Sequence, residues 1–217
     1  MNQLVQPQPP QGPDIYEQIA LALGEQGWAV TPNFLSPLLV SQLRHELQCL
    51  WQEGEFRQAG VGRGDSFEVN QSIRTDQVKW LDSTLSGAQK QYQLQQEQLR
   101  LAMNRVLLLG LFEFECHLSL YPSGSYYKKH LDQFRGIGLR TVSSILYLND
   151  NWQAADGGQL LLYTNPDDDK EYQVIQPHGG QLVTFLSARF PHEVCLARRE
   201  RMSITGWFSK RDIHAIF

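Results

Sequence analysis

The order of hydrophobic and polar residues divides the chain near Gly110. Before Gly110, apolar residues recur every three or four positions, which is the spacing of one helical face. From Phe112 to Leu120, apolar and polar residues alternate, as they do in a strand with one buried face. The pattern therefore predicts a helical first half and a second half built from strands.

Residues that cap helices mark two of the helix starts. Asp14 can accept a hydrogen bond from a first turn, and Ser36 precedes Pro37, a residue favoured at the first helical position. The pattern predicts helices over residues 14–27, 36–54 and 86–109, with a short strand over residues 28–35.

Short apolar runs, separated by the turn sequences DGG, NPDDD and PHGG, fill the rest of the chain. They predict strands near residues 126–131, 141–148, 159–163, 172–176, 181–187 and 201–208. Helices followed by about eight strands indicate an α+β fold whose strands form a sandwich or barrel of the jelly-roll type.

The same pattern suggests how the chain is organised. Residues 1–13 are rich in glutamine and proline and predict a flexible tail, so that a single domain covers residues 14–217. Within this domain, we expect residues 14–110 to support a jelly-roll core over residues 111–210. Residues 59–80 have too little apolar content for a core and predict a functional or mobile loop.

Composition narrows the class of protein. The 217 residues are 41% hydrophobic and 19% charged, which is typical of one globular domain. A net charge of −4 argues against a large nucleic-acid surface. The longest apolar run, residues 106–112, is far too short for a membrane span, and no signal peptide is visible, so we expect a cytoplasmic protein without membrane contact. Three widely spaced cysteines fit a reducing compartment and exclude a cysteine-rich metal site.

His130 and Asp132 form an HxD pair in the strand-like stretch YYKKHLD. Alternate residues of a strand face the same side, so the imidazole and the carboxylate would reach one point in space. With six histidines and eleven aspartates in the chain, chance supplies about 0.3 such pairs. Alone, the pair fits a surface histidine beside a solvated aspartate better than it fits a metal site.

A third candidate ligand strengthens the metal hypothesis. His192 follows His130 by 62 residues and lies in RFPHEVCLA, at the end of another predicted strand. Two histidines and one carboxylate on one face of a metal leave positions open, which is the geometry of non-heme Fe(II) oxygenases.

Arg201 begins the strand RMSITGWF, nine residues after His192. Arg201, Thr205 and Trp207 would share one face of this strand, opposite an apolar face. An interior guanidinium needs a carboxylate partner. That partner is either a small molecule or an aspartate or glutamate of the protein itself.

Six motifs together resemble a known family over roughly residues 58–210. The sequence is similar to the 2-oxoglutarate and Fe(II)-dependent prolyl 4-hydroxylases, most of all to the hypoxia-sensing prolyl hydroxylases and their bacterial relatives. The motifs are GVGRG, IRTDQVKWLD, YPSGSYYKKHLDQF, ILYLNDNW, DGGQLLLY and the pair FPHEV and RMSITGWF. The resemblance implies a double-stranded β-helix.

The resemblance also implies roles for individual residues. Fe(II) would be held by His130, Asp132 and His192, which would form the catalytic centre. The 2-oxoglutarate cosubstrate would be bound by Arg201, Tyr147, Tyr121 and Thr205. The substrate would be contacted by Arg140, Asp76, Trp207 and Tyr127, with a salt bridge between Asp76 and Arg140.

By resemblance, the reaction is hydroxylation of a prolyl residue in a protein or peptide, in which O2 is consumed and succinate and CO2 are released. Ascorbate is the expected auxiliary cofactor. Two alternatives stay open: a hydroxylase of a free amino acid or other small molecule, and a non-catalytic jelly-roll binding module. The loop over residues 59–80 favours a protein substrate over a small molecule.

Overall fold

The computed structural model describes residues 12–60, 68–82, 84–133, 139–165 and 167–211. The predicted tail over residues 1–13 lies outside them, except for its last two positions, and so do residues 61–64 of the GVGRG motif. The described α-helices are α1 (Ile15–Glu25), α2 (Pro37–Gln52) and α3 (Gly87–Leu107), and a 3-10 helix covers Ala154–Asp156. The described strands are β1 (Trp28–Thr31), β2 (Arg57–Gln58), β3 (Gln77–Trp80), β4 (Leu111–Tyr121), β5 (Tyr127–His130), β6 (Arg140–Tyr147), β7 (Leu160–Tyr163), β8 (Tyr172–Ile175), β9 (Leu182–Leu186), β10 (His192–Val194) and β11 (Arg201–Lys210).

Side-chain caps begin all three helices. Asp14, Ser36 and Ser86 each accept a hydrogen bond from the backbone N–H three residues later. Pro37 opens α2, where its missing N–H costs no helical hydrogen bond. The three predicted helices are confirmed, and each of their ends lies within about two residues of the expected position.

The strands form two antiparallel sheets. The major sheet has the order β1-β9-β6-β11-β4-β3-β2, and the minor sheet has the order β5-β10-β7-β8. Strands that are distant in sequence lie side by side, as β4 does with β11 and β5 with β10. This is the arrangement of a jelly roll, and the predicted fold class is confirmed.

The core lies on both sides of the major sheet. One apolar cluster joins the three helices to the outer face of this sheet, and a second fills part of the space between the two sheets. Strand β11 contributes to both sides, because Met202 and Ile204 pack in the first cluster while Thr205 and Trp207 face a cavity between the sheets. The helices therefore brace one wall of that cavity.

The segment over residues 59–80 differs from its prediction. The described part of this segment contains β3, which pairs with β4 and places Val78 in the interior. Ala59 and Asp76 are also buried, so the expectation that the segment contributes nothing to the core is wrong. The first 110 residues thus supply β1, β2 and β3 to the major sheet in addition to the supporting helices.

Among the described residues, no helix combines the length and the apolar content that crossing a membrane requires.

Candidate active site

A cavity of about 640 Å³ opens between the two sheets. Most of the residues singled out by sequence line its wall. Those that line it are His130, Asp132, His192, Arg201, Tyr121, Thr205, Arg140, Trp207 and Tyr127. Two do not: Tyr147 and Asp76 are both fully buried behind the wall.

Strand pairing brings the three candidate metal ligands together. His130 on β5 lies directly opposite His192 on β10 in the register of the minor sheet. Asp132 follows β5 by two residues, and its Oδ1 lies 3.5 Å from His130 Nε2 and 3.6 Å from His192 Nε2. One candidate ligand atom from each of the three residues lies within 4.8 Å of the candidate ligand atoms of the other two residues.

Backbone carbonyls orient both imidazoles. His130 Nδ1 lies 2.8 Å from the carbonyl oxygen of Lys128, and His192 Nδ1 lies 3.1 Å from that of Phe190. A carbonyl only accepts, so each Nδ1 carries a proton and Nε2 is the nitrogen turned towards Asp132. Burial lowers the pKa of His192 to about 4, with a smaller contribution from His130, so its imidazole is neutral at physiological pH.

Two serines fix the Asp132 carboxylate. Ser143 donates a hydrogen bond of 2.7 Å to Asp132 Oδ2, and Ser187 lies 2.9 Å from the Ser143 hydroxyl, to which it can donate in turn. Burial raises the pKa of the Asp132 carboxyl, but the two imidazoles and the Ser143 hydroxyl lower it by more, and it stays well below its ordinary value. The carboxylate is therefore ionised, with Oδ1 turned towards the histidines.

This donor set fits Fe(II). Two imidazole nitrogens and one carboxylate oxygen suit a divalent first-row metal, and they leave other coordination positions to ligands from the cavity. The carbonyl and serine contacts are the outer hydrogen bonds that ligands of this kind require.

Arg201 is buried in the same cavity wall with no acidic partner in the described part of the chain. Its side chain is 1% exposed, and Nε donates to the carbonyl of Gly158 at 2.9 Å. The guanidinium carbon lies 4.8 Å from the ring centroid of Tyr121 and 5.0 Å from that of Tyr147. The predicted alternative, a structural ion pair with an aspartate or glutamate, is not formed among the described residues.

Nearby polar atoms also lack partners. The hydroxyls of Tyr147 and Ser203 are buried and, within the described ranges, form no hydrogen bond. A buried cation beside unsatisfied hydroxyls is costly unless a ligand satisfies them. These groups therefore fit a small molecule that carries a carboxylate.

The opposite end of the cavity is aromatic and charged. The Arg140 guanidinium lies 3.6 Å from the ring centroid of Trp207 and donates a hydrogen bond of 2.8 Å to Glu115. Asp76 accepts two hydrogen bonds from Arg74. The predicted salt bridge between Asp76 and Arg140 is therefore wrong, and Asp76, at 0% exposure, is too deeply buried to contact a substrate directly.

Sequence reasoning missed several residues of the wall. His117 on β4 packs against both Trp80 and Trp207, with ring centroid distances of 4.9 Å and 5.5 Å. Burial lowers its pKa to about 4. The alternation of β4 places His117 on the same face as Tyr121 and was the available signal. Arg74, which also lines the wall, and Ser143, which lies behind it, gave no comparable local signal.

We expect Ser143→Ala to weaken metal binding about tenfold, because it removes the hydrogen bond that orients Asp132. The dissociation constant for Co(II), titrated into metal-free protein under nitrogen, measures this effect. Ser143→Thr keeps the hydroxyl and should restore affinity. Ser144→Ala is the matched control, because Ser144 is equally buried but bonds to Gln96 on the other face of β6. Equal affinities for the Ser143→Ala and Ser144→Ala proteins would contradict the orienting role.

A jelly roll that presents two histidines, a carboxylate and an isolated buried arginine to one cavity has the features of a 2-oxoglutarate-dependent non-heme iron oxygenase. A family model described as the 2OG-Fe(II) oxygenase superfamily matches residues 116–209. The crystal structure of a prolyl-4-hydroxylase from Pseudomonas putida is 41% identical, with a TM-score of 0.83, and the match covers 91% of this chain and all of that chain. The chain belongs to the 2OG-Fe(II) oxygenase superfamily and, within it, to the prolyl hydroxylases.

Animal relatives extend this comparison. A prolyl hydroxylase from Trichoplax adhaerens, solved with a hypoxia inducible factor peptide fragment, is 29% identical with a TM-score of 0.80, over 90% of this chain and 89% of that chain. The hypoxia-inducible factor prolyl hydroxylase of Caenorhabditis elegans is 32% identical over 91% of this chain and 29% of its own length. Human Egl nine homolog 1 is 28% identical over 92% of this chain and 47% of its own length. The chain thus spans less than half of these two curated relatives.

Proposed function

We propose that this protein hydroxylates a prolyl residue in a protein substrate, with Fe(II), 2-oxoglutarate and O2. The observation that carries the proposal is the presence, in one cavity, of His130, Asp132 and His192 together with a buried Arg201 that has no acidic partner among the described residues. Membership of the prolyl hydroxylases supports the choice of substrate group. When bound, the metal and the oxoacid supply the oxidising chemistry, and the protein supplies binding and orientation.

The proposed metal ligands are His130, Asp132 and His192. Their two imidazoles are held as Nε2 donors by backbone carbonyls, and the carboxylate is held by Ser143. Because these side chains are already held in place, they need not reorganise when the site binds the metal.

The proposed binding site for the cosubstrate is centred on Arg201. A guanidinium offers a planar fork that matches a carboxylate, and its burial excludes competing water. Tyr121, which pairs with Arg201 across β4 and β11, lines the cavity beside it, and Thr205 lines the same cavity four residues further along β11. Tyr147 lies behind the arginine, where its hydroxyl can hydrogen-bond to the guanidinium or to a carboxylate held there.

The proposed substrate end is formed by Trp207, Arg140 and Tyr127. Trp207 and the Arg140 guanidinium that lies over its ring, held there by Glu115, form the wall against which a pyrrolidine ring can pack. The peptide-bound relative from Trichoplax adhaerens supports a peptide rather than a free amino acid. We also propose that the enzyme works in the cytoplasm and is sustained by ascorbate. All three cysteines are free thiols, which fits a reducing compartment.

The test is turnover with three kinds of acceptor. Protein purified anaerobically and loaded with Fe(II) and 2-oxoglutarate would be given a cell lysate, proline-containing peptides or free amino acids. We expect succinate formation to rise with protein or peptide, and mass spectrometry to find a gain of about 16 Da, one oxygen atom, on proline. Stimulation by free amino acids alone would overturn the protein-substrate proposal in favour of a small-molecule hydroxylase. The absence of any turnover, with or without acceptor, would favour a binding module.

A further inference from the structure

The ring of Tyr127 lies flat against the proposed ligand His130. Their ring centroids are 3.6 Å apart, and the ring planes differ by 12°. The guanidinium carbon of Arg74 lies 4.2 Å from the same Tyr127 centroid. Two groups this close to one centroid cannot share a face of the ring without colliding. Tyr127 is therefore bracketed by Arg74 on one face and by His130 on the other.

Arg74 is held in place by a buried carboxylate. Its Nε and Nη2 donate to the two oxygens of Asp76 at 2.8 Å and 2.6 Å, and Nη1 donates to the Gly60 carbonyl at 3.2 Å. Burial lowers the pKa of Arg74, but the hydrogen bonds and the charge of Asp76 raise it by more, and the net shift is upward. The pair is charged, and its forked geometry allows the guanidinium plane only one orientation.

The backbone ties Arg74 to the strand that carries the ligand. The carbonyl of Ile73 accepts a hydrogen bond of 2.9 Å from Lys128 N–H, and the carbonyl of Tyr126 accepts one of 3.1 Å from Thr75 N–H. These bonds flank a β-bridge between Arg74 and Tyr127. The guanidinium and the aromatic ring are thus fixed to each other by main chain and side chain together.

His130 needs such support more than His192 does. The side chain of His130 is 16% exposed, whereas that of His192 is 4% exposed and packs against Phe185. The hydrogen bond from His130 Nδ1 to Lys128 holds one edge of the imidazole but does not cover its face. The stacked ring of Tyr127 covers that face and resists tilting of the imidazole plane.

We propose that Asp76, Arg74 and Tyr127 form a positioning unit that holds His130 in its metal-binding orientation. Asp76 fixes the orientation of the Arg74 guanidinium, which packs against one face of the Tyr127 ring. The other face of that ring packs against the His130 imidazole and keeps its plane fixed. A buried ion pair contributes little net stability by itself, so a role in holding a neighbouring group accounts for its place beside the cavity. The inference rests on the metal site of the proposed function and gives Asp76 and Tyr127 a role in holding a metal ligand.

The test measures the affinity for Co(II) in metal-free protein under nitrogen, without any substrate. Tyr127→Leu removes the ring that stacks on His130, and Arg74→Met removes the guanidinium that packs against the other face of that ring. We expect both changes to raise the dissociation constant about tenfold and to alter the visible absorption of bound Co(II), because the imidazole is less well oriented. Tyr127→Phe keeps the ring and should bind Co(II) within about twofold of the wild type.

Arg105→Met is the matched control for Arg74→Met, because it breaks an ion pair with Glu17 far from the cavity. If the wild type binds Co(II) and both Tyr127→Leu and Arg74→Met bind it with the same dissociation constant, the inference is wrong. The proposed metal site is then unaffected. A wild type that binds no Co(II) would overturn the proposed metal site and the inference with it. An effect of Tyr127→Phe as large as that of Tyr127→Leu would also contradict the inference, because it would assign the role to the hydroxyl.

Discussion

Arg201→Gln is expected to raise the dissociation constant for 2-oxoglutarate at least about 100-fold while Co(II) still binds. A bidentate, charge-assisted contact in a buried site contributes about 3 kcal/mol or more, and glutamine replaces it with neutral hydrogen bonds. The measurement is a titration of Co(II)-loaded protein with 2-oxoglutarate, followed by calorimetry. A change of less than about threefold would show that the oxoacid does not bind at Arg201.

The same substitution should not destabilise the ligand-free protein. Within the described residues, no acidic side chain compensates the buried charge of Arg201. Removing this charge therefore removes the free-energy cost of burying it. We expect an unchanged or slightly higher Tm without ligand, and the rise in Tm that 2-oxoglutarate causes should disappear. Arg199→Gln is the control, because Arg199 lies two residues away but is exposed and paired with Asp156.

His130→Ala is expected to abolish both tight iron binding and turnover. A structural zinc site with four ligands binds its metal with about 10 to 16 kcal/mol, which corresponds to roughly 3 kcal/mol for each ligand. Loss of one of three protein ligands therefore weakens binding by at least about 100-fold. Fe(II) content after gel filtration under nitrogen, together with succinate formation, measures both effects.

A second histidine provides the control for this variant. His45 lies on the exposed side of α2, outside the cavity, and His45→Ala should leave iron content and turnover at the wild-type level. Turnover by His130→Ala at more than about a tenth of the wild-type rate would contradict its assignment as a ligand.

Local sequence patterns predicted the elements of this fold well. Asp14 and Ser36 marked helix starts because their caps act within one turn, and the alternation along β4 and β11 gave the inward-facing residues because strand periodicity is local. The metal ligands were found through HxD spacing and through family resemblance, and the register of β5 with β10 brings them to one point.

Contacts that depend on the folded conformation, whether between near or distant residues, were not predictable in this way. The partner of Asp76 was assigned to Arg140, although Arg74, only two residues away, takes both carboxylate oxygens. Strand β3 lies in a polar segment, and its place in the sheet depends on hydrogen bonds to β4, which no local pattern reveals. The stacking of Tyr127 on His130 likewise requires the conformation of the chain between them.

The pairing of β5 with β10 has a consequence for the lifetime of the protein in the cell. These strands are four and three residues long, and their register shifts between His192 and Val194, so few hydrogen bonds join them. Short pairs of this kind open before the rest of a fold does. A metal that binds across them stabilises only the closed form. We therefore expect iron starvation to expose this edge of the minor sheet to proteases, so that the amount of enzyme, and not only its activity, follows the iron supply.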